Sequence, residues 1–133
     1  MRPQGLGWEP LALIPQLAWT DLRGQKYTYS VFGFDQEWVD FPANYIFARR
    51  GHYGWEALYI GETDSLRLCV NKRHEAWTYC RNRGAVHVLV HFNFAGRAAR
   101  QVEEQALILA YNPPGNIPER SSYVVLPDFC KSA

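Results

Sequence analysis

Cysteine is scarce in this chain and poorly spaced for metal or disulfide chemistry. The three cysteines, at positions 69, 80 and 130, form no C-x-x-C pair and leave one over from any pairing. That spacing argues against a zinc site or a disulfide framework and for free thiols in a reducing compartment. Net charge is nearly absent too, at +1, so the overall balance designates no partner. No apolar run approaches the roughly 20 residues a membrane span requires. Pro10 and Pro15 interrupt the apolar N-terminal stretch, which lacks the layout of a signal peptide. With no internal repeat and no low-complexity linker, the 133 residues read as one cytoplasmic domain large enough for a real core.

What the chain has instead is apolar residues (47%) and aromatics (15%), which exclude a disordered chain and supply large rings for a small core or for stacking on bases. Its charge is unevenly placed. Residues 1–66 hold five Lys/Arg against eight Asp/Glu, whereas residues 67–133 hold nine against five. Arg67, Lys72, Arg73, Arg81 and Arg83 are opposed locally only by Glu75. A solvated helix face is one reading of that run and a phosphate-facing surface is the other.

The organising stretch is Leu58-Tyr59-Ile60-Gly61-Glu62-Thr63-Asp64-Ser65-Leu66. Leu58 to Ile60 are strand formers, Gly61 permits a sharp turn or a close backbone approach, and Thr63, Asp64 or Ser65 is suited to N-cap a following helix. A strand over 43–49 precedes it, separated by a glycine-containing hairpin loop. A strand over 56–60 follows that loop, and a single helix then runs from about Ser65 to Cys80. Residues 85–94 alternate as a strand, with Val86, Val88, Val90, Phe92 and Phe94 on one face. His87 and His91 share the other face about 13 Å apart, too far to share a metal ion. Gly96 opens a helix through about Tyr111 whose core stripe reads as Ala99, Val102, Ala106 and Leu109, and Pro113-Pro114 stops it. Lys26 to Phe34 reads as another strand, pairing with the strand over 43–49. Residues 1–26, with Trp8, Leu11, Leu13, Ile14, Leu17 and Trp19, read as a loop with a helical turn. Tyr123-Val124-Val125-Leu126 reads as a late strand or strap.

Two tyrosine strands (Ala43-Asn44-Tyr45 and Tyr59-Ile60-Gly61), a basic helix, a helix carrying Glu104 and an ending at Pro113 and Asn116, in that order, resemble the GIY-YIG nuclease domain over residues 42–116. Residues 1–41 then form an N-terminal extension packed on this core and 117–133 a C-terminal strap. The resemblance implies an α/β fold, a small central antiparallel β-sheet flanked by helices. It implies a divalent-metal-dependent endonuclease acting on DNA, with Mg²⁺ or Mn²⁺ held by Glu104. One tyrosine of the pair, Tyr45 or Tyr59, handles the attacking water or its proton, and Asn116 supports the geometry. The phosphate-binding arginine of the family falls on Cys69, a position where a neutral thiol has no guanidinium to offer. On a continuous helix Arg73 lies about 40° from Cys69 and is placed to substitute, with His74 beside it. Arg67, Lys72 and Arg73 are the expected DNA contacts. Two other readings stay open: a nucleic-acid-binding domain that keeps the fold and has lost cleavage, and a protein-interaction module.

Overall fold

A computed structural model describes residues 14–117. Five antiparallel strands form one sheet: β1 (Gln16–Thr20), β2 (Lys26–Gly33), β3 (Ala43–Gly51), β4 (Gly54–Thr63) and β5 (His87–Phe92), in the spatial order β1-β2-β5-β3-β4. Three helices accompany it, α1 (Leu66–Cys69), α2 (Trp77–Asn82) and α3 (Arg97–Tyr111), followed by a 3₁₀ turn over Pro114–Asn116. The α/β architecture with a small antiparallel sheet is therefore the observed one. Trp8, Leu11, Leu13 and the stretch Tyr123–Leu126 lie outside the described residues.

The segment before residue 42 does more than pack on the core. Its β1–β2 hairpin joins the sheet, and β2 pairs with β5 rather than with β3. The expected loop around Leu17 and Trp19 is strand β1. Both residues turn inward to pack beside Tyr29 and Leu107, which gives this apolar stretch its reason to be extended.

Alternation along β3 divides the interior into two layers. Tyr45 and Phe47 enter one cluster with Leu58, Tyr59, Leu66, Cys69, Val88 and Val90. Ile46 and Ala48 enter the other with Tyr29, Ile60, Leu89 and Leu107. The register slips between Phe47 and Ala48, so Leu58 is an extra residue on β4 and both Leu58 and Tyr59 reach the first layer. The short helices α1 and α2 cover that layer, and α3 covers the other.

The single helix expected over Ser65 to Cys80 is two short pieces. Ser65 caps α1, its hydroxyl accepting the Leu68 N–H. Beyond Cys69 the side chains compete with the helix for backbone groups. Asn71 donates to the Leu68 carbonyl and accepts from the Arg73 N–H, and His74 accepts from the Ala76 N–H. These bonds turn the chain through residues 70–76, and helicity resumes at Trp77. The 40° relation between Cys69 and Arg73 assumed a continuous helix and does not apply.

Candidate functional site

Tyr45, Tyr59 and His74 form one cluster, and all three are buried. Strands β3 and β4 supply the tyrosines, whose ring centroids lie 6.1 Å apart. The turn after α1 supplies His74, which meets Tyr59 edge-on at 4.9 Å and Tyr45 at 5.7 Å. His74 Nδ1 accepts the backbone N–H of Ala76 at 2.9 Å. In the neutral ring the proton is therefore on Nε2, which lies 2.7 Å from Tyr45 Oη. Cys69 Sγ lies 3.3 Å from the same hydroxyl. Cys69 is disulfide-bonded, which corrects the expectation of free thiols throughout. Cys80 is a free thiol whose burial, partly offset by Arg83, pushes its pKa up to about 12.

Gly61 serves this cluster by close approach. Strand β4 continues through it to Thr63, so no turn occurs there. A Cβ at Gly61 would stand 2.5 Å from Tyr45 Oη and 2.9 Å from the Tyr59 ring. Asn116 sits at the edge of the same motif. Its amide donates to the Ile60 carbonyl and its oxygen accepts the Ile60 N–H, each at 2.9 Å. The side chain thus satisfies β4 backbone groups on the side away from β3, where among the described residues no strand pairs with it.

Glu104 is elsewhere. The buried stripe of α3 is Arg100, Glu103, Glu104 and Leu107, and Leu107 places it in the layer of Ile46 and Ile60, on the opposite side of the sheet from the tyrosine cluster. Val102 and Leu109, expected in the core, are 62% and 72% exposed. The helix is turned over relative to its apolar pattern because the sheet offers partners for its charges. Arg100 Nε donates to Glu62 Oε1 at 3.0 Å, and a terminal nitrogen of Arg100 pairs with Asp64, which also pairs with Arg97. Glu103 accepts from Tyr29 Oη at 2.6 Å and lies 2.8 Å from His91 Nδ1. Asn44 donates to the Arg100 carbonyl and accepts from Asn93. Burial and the adjacent Glu103 carboxylate hold the Tyr29 phenol well above its ordinary pKa.

The residues expected to share one surface therefore separate. Tyr45, Tyr59 and His74 come together, Asn116 braces the strand beside them, Arg73 is exposed in the turn, and Glu104 belongs to the α3 layer. Arg67 is exposed on α1 and pairs with Asp40 at 3.5 Å, while Lys72 is exposed beside Arg73. Among the described residues no group of three His, Cys, Asp or Glu side chains is placed to hold a metal ion. Sequence reasoning missed the Glu62–Arg100–Asp64 and Tyr29–Glu103–His91 networks. The available signal was the spacing of Arg100, Glu103, Glu104 and Leu107, which share one helical face.

No protein-family model, curated protein or solved structure matches the chain.

Proposed function

We propose that this is a nucleic-acid-binding domain laid out like a GIY-YIG nuclease but without an assembled hydrolytic site. The observation that carries the reading is Cys69. It stands 3.3 Å from Tyr45 Oη, inside a buried cluster, where the family places its phosphate-binding cation. Phosphodiester hydrolysis needs neutralisation of phosphate charge and an activated water in a site that admits the substrate. A sealed Tyr45–His74–Tyr59 core supplies neither, and Glu104 is only 2% exposed. Mg²⁺ keeps several waters when a protein carboxylate binds it, so a Glu104 site needs room beside the carboxylate.

The divalent-metal-dependent DNA endonuclease is the second reading, favoured by one observation: His74 contacts both motif tyrosines. In that reading Glu104 holds Mg²⁺ or Mn²⁺, and Arg73 meets the phosphate. The disulfide at Cys69 withdraws the thiol argument for a cytoplasmic protein. Among the described residues no helix is long and apolar enough to cross a membrane.

The test pairs electrophoretic binding with cleavage of supercoiled, linear and branched DNA in Mg²⁺ or Mn²⁺. Binding without cutting is the expected result. Cutting that Glu104→Gln abolishes overturns it in favour of the endonuclease. Absence of binding to any nucleic acid leaves the protein-interaction module.

A further inference from the structure

The β3–β4 hairpin ends at the opposite end of the sheet from α1. Its turn is narrow, with Arg50 facing Trp55 and Gly51 facing Gly54, so His52 and Tyr53 form the apex. Tyr53 is 99% exposed and meets the His52 ring edge-on at 4.8 Å. Apolar burial gives no reason for an aromatic ring in that position. The Arg50 guanidinium lies over the Trp55 ring at 5.2 Å. The C-terminal end of α2 comes alongside, since Arg49 donates to the Arg83 carbonyl at 2.8 Å. Arg83 lies over Tyr79 at 3.7 Å, and Arg81 lies over Phe34 at 4.5 Å. A cleft of about 510 Å³ opens between the hairpin's own side chains, from Arg49 to Glu56.

The charge here is one-sided. Arg49 is matched by Glu56 at 2.8 Å, but Arg50, Arg81 and Arg83 are exposed and have no acidic partner among the described residues. The basic run between positions 67 and 83 differs at its other end, where Arg67 is answered by Asp40 and Lys72 and Arg73 lie near Glu75 along the chain. Three guanidinium groups without an acidic partner among the described residues suit phosphates, and the exposed Tyr53 ring suits the face of an unpaired base. A duplex stacks its bases inward and offers no face to Tyr53, whereas a single strand does.

We propose that the hairpin tip together with the end of α2 is a binding surface for single-stranded nucleic acid. Tyr53 stacks on a base, and Arg50, Arg81 and Arg83 hold the flanking phosphates. The inference rests on the nucleic-acid-binding reading above and locates its partner and its surface.

The test is fluorescence anisotropy with labelled oligothymidylate and with a mixed-sequence duplex, using the full chain and the variants Tyr53→Ala, Arg50→Ala/Arg83→Ala and Lys72→Ala/Arg73→Ala. All these side chains are exposed, and thermal unfolding checks that each variant keeps its fold. Wild type is expected to favour oligothymidylate over the duplex. Tyr53→Ala is expected to weaken that binding roughly 10-fold, the scale of losing one stacked base. Arg50→Ala/Arg83→Ala is expected to lower the slope of log affinity against log salt by about 0.7 for each phosphate no longer neutralised. Binding that persists unchanged in both tip variants but falls in Lys72→Ala/Arg73→Ala overturns this surface while leaving the nucleic-acid-binding reading intact. A preference for duplex that is indifferent to Tyr53 overturns the single-strand assignment. Absence of any binding by wild type overturns both.

Discussion

Tyr45 Oη and His74 Nε2 lie 2.7 Å apart across the buried layer between β3 and the turn after α1. Ala76 N–H occupies the other ring nitrogen, so in the neutral ring the histidine donates and the tyrosine oxygen accepts. The tyrosine is thereby held by the chain segment that replaces the middle of the expected helix. Gly61 completes the arrangement from β4, because any Cβ there would meet the Tyr45 hydroxyl.

Gly61→Ala is expected to push the Tyr45 ring away from His74 and to destabilise the fold by about 1–3 kcal/mol, the usual scale for overpacking a core. Tyr45→Phe removes the acceptor for His74 Nε2–H, with an expected cost of about 1–3 kcal/mol for a buried donor left without its partner. Urea unfolding of both variants measures the two costs. A hydrolytic role for Tyr45 would show differently: Tyr45→Phe would abolish cleavage by a protein whose folded population at working conditions is unchanged.

Buried charge makes a second prediction. Arg100 and Glu62 have side chains only 4% and 1% exposed, and Glu62 Oε2 has no hydrogen-bond partner among the described residues. Arg100→Met leaves the Glu62 carboxylate in the interior without its counter-charge, at an expected cost of about 3–5 kcal/mol. Arg100→Met with Glu62→Leu replaces both charges by apolar groups and is expected to recover most of that loss. Chemical denaturation of the single and double variants measures it. A double variant as unstable as the single one would locate the cost in Asp64 or in the missing bond to the Asn93 carbonyl.

The apolar pattern served well for β3, β4 and β5, where side chains alternate between two packed layers, and the ends of α3 follow from Gly96 and the proline pair. It misled for the face of α3. Ala99, Val102, Ala106 and Leu109 look like a core stripe only while the sheet is assumed to be apolar. Once β2, β4 and β5 present Tyr29, Glu62 and His91, Arg100 and Glu103 find partners, and the face that carries them goes inward. Periodicity shows both stripes but does not decide which goes inward, because that depends on residues far away in the chain. Asn71 and His74 broke the expected helix for the opposite reason. Their effect is local, a side chain taking a backbone group within three residues, and was in principle readable from the sequence. The tyrosine pair was legible from its motifs. The separation of Glu104 from it was not, because motif order along a chain carries no information about which layer a helix covers.

The Tyr29–Glu103 bond predicts behaviour in alkali. Burial first, then the charge of Glu103 and the hydrogen bond to it, raise the Tyr29 pKa well above 10.0. A group whose pKa is higher in the folded state contributes stability that is complete below its unfolded value and is lost as pH rises through its folded value. Stability is therefore expected to decline as pH is raised above about 10. Tyr29→Phe should be less stable than wild type at neutral pH, having lost the donor to Glu103, and the gap should narrow in alkali. Urea midpoints of the two proteins across that range test this, and a constant gap would contradict it.

Asn116 connects the edge of the sheet to the candidate site. Among the described residues strand β4 has β3 on one side only, and Ile60, fully buried, carries its N–H and carbonyl to a side-chain amide. The opposite edge is closed in the same manner. Tyr111 Oη accepts the Thr20 N–H at 3.0 Å and donates to the Thr20 carbonyl at 2.8 Å, tying β1 to the end of α3. Gly115 lets Asn116 approach, since a Cβ at position 115 would stand 2.5 Å from the Leu58 carbonyl oxygen. Asn116→Ala is expected to cost about 1–3 kcal/mol through the two backbone groups it strands. Asn116→Asp keeps an acceptor for the Ile60 N–H but sets an oxygen against the Ile60 carbonyl, so it should restore little. Hydrogen exchange at the Ile60 amide reads the effect locally: protection there should fall in both variants, and more in Asn116→Ala, which removes the acceptor. Retained protection with lost cleavage would instead assign Asn116 to chemistry rather than to the strand edge.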